Sequence, residues 1–422
     1  MLSKLLVKLY SYVVIYGHIF RCKIENKVHK RKAEKDRVII LTAGGIGDAI
    51  VSLQAYKALC DYFMSLNKEL YLITDAALHT GLKMVLSEKY EEIQWRICDF
   101  LNGKMDRDKL YSFQTLTKEI REFKIERIII MSNIMVQYRR ACYVAACLDP
   151  GVVNTGLYDS YPQGIWRRFR LYAIENIFYR INRLPDGLHE SIFWKRFINK
   201  IGEFDYKVSI PYIERQCAYN PGGEKGYLVI AVDSSNVKRR WPSENFIELI
   251  NKLLKMVKYD IVLTASNVTE ATREQYETAF HGCSRVIVLI GMLTTGEWVE
   301  LVRGAQFVVG VDSGIIHVAA AVSTQAFCIT GAWNGHRFYP YIQEKRNEMT
   351  IEPKCIYRGD IDVGQLSCAN CISKAYYGYG NHNCKNQIKA GKPVLCLLNV
   401  SPDDVLRTIG EAFILTANRE DY

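Results

Sequence analysis

A glycine-rich loop with one acidic residue, at positions 43–48, follows a short apolar run of the chain. Glycines let a backbone turn tightly and come close to a ligand. Asp48 falls near the start of the next helix, where the helix dipole favours an ionised carboxylate that could act as a base. Capping that helix is an equally common task for Asp. Gly45 and Gly47 fit the start of a dinucleotide-binding loop, but Ile50 replaces its third glycine, which disfavours a nicotinamide enzyme.

A second polar loop, at positions 233–242, follows the apolar run 227–232. Ser234 supplies a hydroxyl, and Lys238 and Arg239 begin a run of three cations that ends at Arg240. Hydroxyls and cations together bind phosphate oxygens and stabilise a departing diphosphate. A solvated basic turn is the alternative. Ser243 is predicted to cap the helix that follows.

The strongest signal lies at Asp312, Ser313, Gly314 and His317, directly after the apolar run 307–311. The free amides of a helix that begins here would form an anion site. A single His on an apolar helix is more often a core residue. Its place beside Asp, Ser and Gly favours a binding role instead.

Short apolar runs alternate with helix-length segments along the whole chain, which is typical of βαβ units and parallel sheets. Ligands of such sheets bind beyond the carboxyl ends of the strands, where all three loops lie. A chain of 422 residues favours two domains. We expect a leader at 1–35, an N-terminal domain at 36–213, a linker at 214–226, a C-terminal domain at 227–400 and a last helix in 401–422. The predicted strands are 38–42, 70–74, 127–131, 227–232, 260–264, 285–289, 306–311 and 325–329.

The leader carries most of the chain's net charge of +10, because positions 1–37 hold ten Lys or Arg against three acidic residues. Its apolar stretch, 5–20, is shorter than the roughly 20 residues of a membrane-spanning helix. A basic, aromatic-rich helix on an anionic membrane surface fits this pattern best. A signal anchor and a frayed terminus are the alternatives. The basic and aromatic stretch 166–180 could extend the same contact, or could be a solvated helix that packs its aromatic residues on the core. Nothing resembles a nucleic-acid-binding motif.

Most of the 13 cysteines stand singly in apolar surroundings, as Cys60, Cys142, Cys147 and Cys328 do, which favours burial and a reducing compartment. A series near the C-terminus differs. It could hold structural zinc, although its second pair is too widely spaced, and disulfides or free thiols remain open. The series consists of Cys368, Cys371, Cys384 and Cys396.

Taken in order, Gly47-Asp48, Arg239-x-Trp241-Pro242 and the Asp312–His317 element resemble glycosyltransferase family 9, the ADP-heptose:lipopolysaccharide heptosyltransferases. The resemblance spans about residues 36–415. It implies an α/β fold of the GT-B class, with two Rossmann-like domains facing across a cleft and a basic N-terminal helix ahead of them.

The resemblance also implies roles for the loops. Asp48 would be the catalytic base of an inverting transfer, in an acceptor-side loop with Gly45 and Gly47. Donor sugar and diphosphate would contact Ser234, Lys238, Arg239, Asp312, Ser313, Gly314 and His317. Arg239 occupies the position of the family's phosphate-binding Lys, and Lys238 could bind the phosphate instead. No catalytic metal or other cofactor is implied, because helix amides and cations serve the leaving diphosphate.

The predicted function is therefore a cytoplasmic, metal-independent glycosyltransferase, peripheral on the inner face of the cytoplasmic membrane. It would move a heptose or related sugar from a nucleotide-diphosphate donor to a lipopolysaccharide core or other surface glycan. Its partners would be that donor, a glycolipid or oligosaccharide acceptor and an anionic membrane, but not nucleic acid. A GT-B sugar-nucleotide epimerase or hydrolase is the first alternative. A catalytically silent protein that binds nucleotide sugars or glycolipids is the second.

Overall fold

The chain is described here from a computed structural model. The described residues are 2–28, 32–86, 88–132, 135–148, 150–158, 179–184, 188–202, 206–222, 226–234, 236, 239–265, 269–330, 338, 341, 354–356, 395–398 and 400–420. The chain forms two compact units, Met1–Lys207 and Val208–Tyr422. The segment 214–226, whose composition indicates a linker, falls in the second unit.

The first unit contains a six-stranded parallel sheet between helices. Its elements are α1 (Leu2–Val28), β1 (Lys32–Thr42), α2 (Ile46–Val51), α3 (Leu53–Ser65), β2 (Glu69–Thr74), α4 (Ala76–Val85), β3 (Gln94–Ile97), α5 (Arg107–Ile120), β4 (Phe123–Met131), α6 (Met135–Leu148), β5 (Val152–Tyr158), β6 (Tyr179–Leu184) and α7 (Glu190–Ile198). The strand order is β3-β2-β1-β4-β5-β6. Apolar strand residues pack against α1, α5 and α6 to form the main core.

The second unit repeats this plan. Its elements are β7 (Tyr227–Ala231), α8 (Ser243–Met256), β8 (Asp260–Thr264), α9 (Glu270–Ala279), β9 (Val286–Val288), α10 (Thr295–Arg303), β10 (Val308–Val311), α11 (Gly314–Ala321), β11 (Ala326–Ile329), β12 (Lys354–Ile356), α12 (Leu395–Leu398) and α13 (Pro402–Glu420). The strand order is β12-β11-β10-β7-β8-β9, again all parallel.

In both sheets the order of the strands reverses beside the first strand of the unit. Between β1 and β4, and between β7 and β10, the connections leave to opposite sides. This opens a crevice at the carboxyl ends of the two neighbouring strands, where open α/β sheets bind ligands. Each unit has one such switch point.

The predicted basic N-terminal helix is present as α1, and one of its faces is part of the first unit's core. Ile15, Ile19 and Cys22 are buried there. The opposite face exposes an apolar stripe. Among the described residues, none of the helices is long and apolar enough to span a membrane.

Candidate functional site

The predicted catalytic carboxylate lies in a tight loop between β1 and α2. Gly45 occupies the N-cap position of α2, and its backbone N–H donates to Oδ2 of Asp48 at 2.8 Å. Asp48 therefore sits in the first turn and accepts a backbone hydrogen bond, although it is not the N-cap residue itself. A Cβ on Gly44 would come within 2.6 Å of the same oxygen. Glycine at this position lets the carboxylate fold back over the loop.

A second carboxylate, which the sequence reasoning missed, supports this loop. Asp75 follows β2 directly and is 5% exposed. Its Oδ1 accepts the Gly44 backbone N–H at 3.0 Å, and its Oδ2 accepts the Asn102 amide at 2.9 Å. Burial raises the pKa of Asp75. The signal for it was available, because Asp75 is a polar residue immediately after a predicted strand.

Further polar side chains extend this edge of the first sheet. Gln137 donates to Asn102 Oδ1 at 3.3 Å and accepts from the Ser132 hydroxyl at 3.1 Å. The guanidinium of Arg140 donates to the carbonyl oxygens of Phe100, Asn102 and Gly103. A buried network of this kind holds its members in one arrangement. The first switch point is thus lined by carboxylate and amide groups, together with the Arg140 guanidinium that holds residues 100–103.

The second switch point brings together two of the predicted donor residues. Nη1 of Arg239, after β7, lies 3.6 Å from Oδ2 of Asp312, after β10. Asp312 is 2% exposed, whereas the Arg239 side chain remains 27% exposed. The Nε of Arg239 is buried and has no hydrogen-bond partner among the described residues. A guanidinium with a free buried N–H suits an incoming anionic oxygen.

Ser313 and Gly314 begin the helix that follows β10. Ser313 is the N-cap of α11, and its hydroxyl donates to the Val311 carbonyl at 3.1 Å rather than capping the helix. Nearby, a Cβ on Gly310 would meet Ala231 and Ile315 at 3.1 and 3.2 Å. This glycine lets β7, β10 and the start of α11 pack closely. The first amides of α11 are thereby held at the carboxyl edge of the sheet, as an anion site requires.

His317 lies one turn into α11 and is 5% exposed. Its Nδ1 makes a 2.6 Å hydrogen bond with the hydroxyl of Tyr341, and its ring contacts those of Tyr341 and Phe338. The histidine therefore holds Phe338 and Tyr341 against the helix. Tyr341 was beyond sequence reasoning, since nothing in the spacing joins it to α11.

The loop after β7 is held by its own polar contacts. Ser234 is buried, and its hydroxyl accepts the Asn236 N–H at 3.3 Å. Arg240 pairs with Asp233 at 2.6 Å and donates to the Ser234 carbonyl. Burial raises the pKa of Asp233, against the opposing effect of Arg240. Of the three predicted cations, Arg240 is thus committed to the loop itself, while Lys238 lies outside the described residues.

Trp241 has a structural part beside this loop. It is buried against Phe246, and its indole N–H donates to the Val400 carbonyl at 2.9 Å. The predicted cap at Ser243 is wrong by one residue. Pro242 holds the N-cap position in an extended conformation, and Ser243 is the first helical residue.

Two further predictions have different outcomes. Cys60, Cys142, Cys147 and Cys328 are all buried, as expected from their apolar surroundings. The side chains of Cys368, Cys371, Cys384 and Cys396 lie outside the described residues, and the predicted alternatives for that series stay predictions.

Electrostatics distinguish the two switch points. In the first unit, oxygen acceptors surround the β1 loop, and a carboxylate such as Asp48 could take a proton from a hydroxyl. In the second unit, one guanidinium and the amides of a helix start lie beside a buried carboxylate. This second arrangement can hold a diphosphate and stabilise the charge that develops as it leaves.

Comparison with known proteins finds a family match that lies mostly in the second unit. Residues 199–359 match the model of glycosyltransferase family 9 (heptosyltransferase). A segment of 113 residues is 32% identical to lipopolysaccharide heptosyltransferase 3 of Escherichia coli, and it covers 26% of this chain and 33% of that relative. The matched segment thus spans about a third of the relative's length.

Solved structures resemble the chain over most of its length. ADP-heptose lipopolysaccharide heptosyltransferase II of E. coli superposes with a TM-score of 0.57 at 14% identity, covering 90% of this chain and 99% of that one. E. coli heptosyltransferase WaaC with ADP-2-deoxy-2-fluoro heptose gives 0.56 at 15% identity, covering 89% and 99%. The predicted resemblance to family 9 and the predicted α/β, GT-B fold class are confirmed.

Proposed function

We propose that this chain, whose residues 199–359 match glycosyltransferase family 9, is an inverting, metal-independent glycosyltransferase. It would transfer a heptose or related sugar from a nucleotide-diphosphate donor. The acceptor would be a lipopolysaccharide core or another surface glycan. The observation that carries this proposal is the second switch point, where Arg239 lies beside buried Asp312 at the start of α11.

The proposed donor site rests on the charges at the second switch point. A diphosphate bound at the start of α11 would accept hydrogen bonds from the amides at Ser313 and Gly314 and from the unsatisfied Nε of Arg239. Asp312 would accept hydrogen bonds from sugar hydroxyls while keeping Arg239 in place. Ser234, Lys238 and His317 complete the proposed donor site. Since Nδ1 of His317 already bonds Tyr341, we assign this residue to positioning.

The catalytic half rests on Asp48. In a single displacement, a base removes the proton of the acceptor hydroxyl while its oxygen attacks the anomeric carbon. The bond to the diphosphate breaks on the opposite face, and its electron pair leaves with the diphosphate. Cationic and amide groups can stabilise this leaving charge without a divalent ion. Asp48 would be the base, with Gly45 and Gly47 shaping the acceptor-side loop.

The test is a panel of ADP-, GDP-, UDP- and dTDP-sugars, read first as donor-dependent thermal stabilisation. ADP-heptose is the first candidate, because WaaC was solved with an ADP-heptose analogue. Transfer to truncated lipopolysaccharide, without added Mg²⁺ or Mn²⁺, should yield a product with the opposite anomeric configuration. Stabilisation by no donor would contradict the proposal. Donor isomerisation or hydrolysis without transfer would favour the epimerase or hydrolase alternative.

We also propose that the enzyme is peripheral on the inner face of the cytoplasmic membrane. The outward face of α1 exposes apolar side chains three to seven positions apart, at Tyr10, Val13, Phe20 and Ile24. The surrounding leader is strongly basic. A docked helix with an exposed apolar stripe and basic flanks suits the surface of an anionic bilayer.

Sedimentation with vesicles tests this contact. The full chain should bind vesicles containing anionic phosphatidylglycerol, and bind phosphatidylcholine vesicles much less. The double variant Val13→Ser, Phe20→Ser should lose most of the binding. Tyr212→Ser removes an equally exposed aromatic from the other unit and should retain it. Equal binding by all three proteins would contradict the proposal.

A further inference from the structure

A second cluster of reactive side chains lies in the first unit, between α1, α5 and α6. His18 and Cys22 are one helical turn apart on the inward face of α1, and Cys147 faces them from α6. Both cysteines are fully buried. One potential ligand atom from each residue lies within 4.8 Å of the others. Neither switch point uses these residues.

The distances within the cluster match those of a metal site. His18 Nε2 and Cys22 Sγ are 3.5 Å apart. In a tetrahedral zinc site, Zn–S bonds of about 2.3 Å and Zn–N bonds of about 2.0 Å separate two such ligands by roughly 3.5 Å. The spacing of four residues on one helix turns both side chains to the same side. The pair is therefore already close to the geometry of coordination.

The surroundings of the cluster already bind His18. The Thr117 hydroxyl lies 2.8 Å from His18 Nε2 and donates its own proton to the Phe113 carbonyl, so Nε2 carries the proton of the hydrogen bond to Thr117. Coordination by Nε2 would release this proton and leave the Thr117 hydroxyl free to bond a water molecule as fourth ligand.

Other contacts show that α1 is fastened to the core at this point. Asn26 donates to the Cys147 carbonyl at 2.9 Å, and Glu25 pairs with Arg121 at the end of α5. A metal ion among the three side chains would connect the same elements more strongly. Soft thiolate ligands with one imidazole select zinc over hard cations such as Mg²⁺.

We propose that His18, Cys22 and Cys147 form a binding site for Zn²⁺. The bound ion would hold α1 against α6. Coordination needs both sulfurs as thiolates and an unprotonated Nε2, so binding releases protons and strengthens as pH rises. The ion is structural in this site. It holds the leader helix in register on the first unit, with its apolar stripe turned outward.

Cobalt titration of the reduced, chelator-treated full chain tests the site, because tetrahedral thiolate coordination gives Co²⁺ a visible and near-ultraviolet absorption. Wild type should bind one equivalent more than Cys22→Ala and Cys147→Ala. Cys142→Ala removes a buried cysteine from the same helix as Cys147 and should match wild type. The C-terminal cysteines contribute equally in all four proteins, and the difference isolates the proposed site.

Because the two cysteine variants change fully buried side chains and could misfold, a variant at His18 provides a second test. His18→Gln changes a side chain that is only half-buried and keeps both thiols. It should shift the cobalt spectrum and weaken cobalt binding. Zn²⁺ should also raise the melting temperature of wild type more than that of His18→Gln. Equal metal stoichiometry in all variants would overturn the proposal.

Discussion

The two units are built on the same strand order but offer different chemistry at their switch points. In the first, the loop after β1 carries Asp48, supported by Asp75 and Asn102. In the second, the loops after β7 and β10 bring Arg239 beside Asp312. The Arg140 guanidinium of the first edge bonds backbone carbonyls, whereas Arg239 of the second has a buried Nε without a hydrogen-bond partner among the described residues.

This difference shows that strand topology and side chains have separate effects on ligand binding. Topology decides where a ligand can bind, because the crevice lies wherever neighbouring connections diverge. The residues just after each strand decide what can bind there. A transferase needs a proton acceptor and a site for a leaving anion, and the repeated scaffold can supply one of each.

The largest effect is expected from removing the proposed base. Asp48→Asn keeps the shape of the side chain but cannot take a proton at neutral pH. We expect kcat to fall by about 10³-fold, within the usual range of general base catalysis, with donor affinity unchanged. Steady-state transfer kinetics measure this.

The matched control is Asp106→Asn, at the N-cap of α5, where Asn caps as well as Asp. It should retain full activity. A wild-type rate in Asp48→Asn would remove Asp48 from the mechanism, and loss of donor binding would assign it to the donor instead.

The next effect should come from the cationic edge. Arg239→Ala leaves Asp312 buried without its ion-pair partner and removes the guanidinium from the proposed diphosphate site. A charge-assisted hydrogen bond contributes about 1.5–3 kcal/mol, so donor affinity should fall about 10- to 100-fold by calorimetry. Arg407→Ala, a surface cation paired with Asp404, is the control and should bind as wild type does. Unchanged affinity in Arg239→Ala would place the donor elsewhere.

A smaller effect is expected from the loop that holds Asp48. Gly44→Ala would bring a methyl group within 2.6 Å of the carboxylate, whereas Gly45→Ala meets it only at 3.9 Å. Displacement of a catalytic group by about 1 Å can cost up to about 100-fold in rate. Gly44→Ala should therefore reduce kcat at least tenfold, and Gly45→Ala much less. Equal rates in the two variants would show that the close approach at Gly44 does not matter.

The smallest effect concerns the pH dependence of stability. The folded pKa of Asp75 is raised by burial above its ordinary value of 3.8, so the native state holds this proton more tightly than the unfolded state. Wild type should then lose stability as pH rises from about 3.8 through the raised value. Asp75→Asn lacks this titration.

The melting temperature of Asp75→Asn relative to wild type should therefore climb with pH over this window and then level off. A constant difference would mean that Asp75 titrates alike in both states. A fall in the relative melting temperature as pH rises would reverse the sign.

The sequence predicted the strands that contain strongly apolar runs, and with them all three motif loops. It missed β3, whose residues are half exposed, β5 and β6, which contain polar residues, and β12, which has only three residues. These strands lack the apolar runs on which the predictions depended. The single helix expected after the glycine loop is two helices, α2 and α3, which meet at Ser52.

The sites were predictable to different degrees for a physical reason. Asp48 and Asp312 follow apolar strands directly, so local sequence reveals them. The residues that support these loops from distant parts of the chain were not predicted. Asn102 reaches Asp75 from beyond β3, and Tyr341 reaches His317 across 24 positions. Only the fold brings these residues together.

The central claim is that the base belongs to the first unit and the donor site to the second. Its most direct test is calorimetric binding of the preferred nucleotide sugar to wild type, Asp48→Asn and Arg239→Ala. The account predicts equal affinity in wild type and Asp48→Asn, and an affinity about 10- to 100-fold weaker in Arg239→Ala. Weakened binding in Asp48→Asn together with wild-type affinity in Arg239→Ala would contradict it, because the donor would then belong to the first unit.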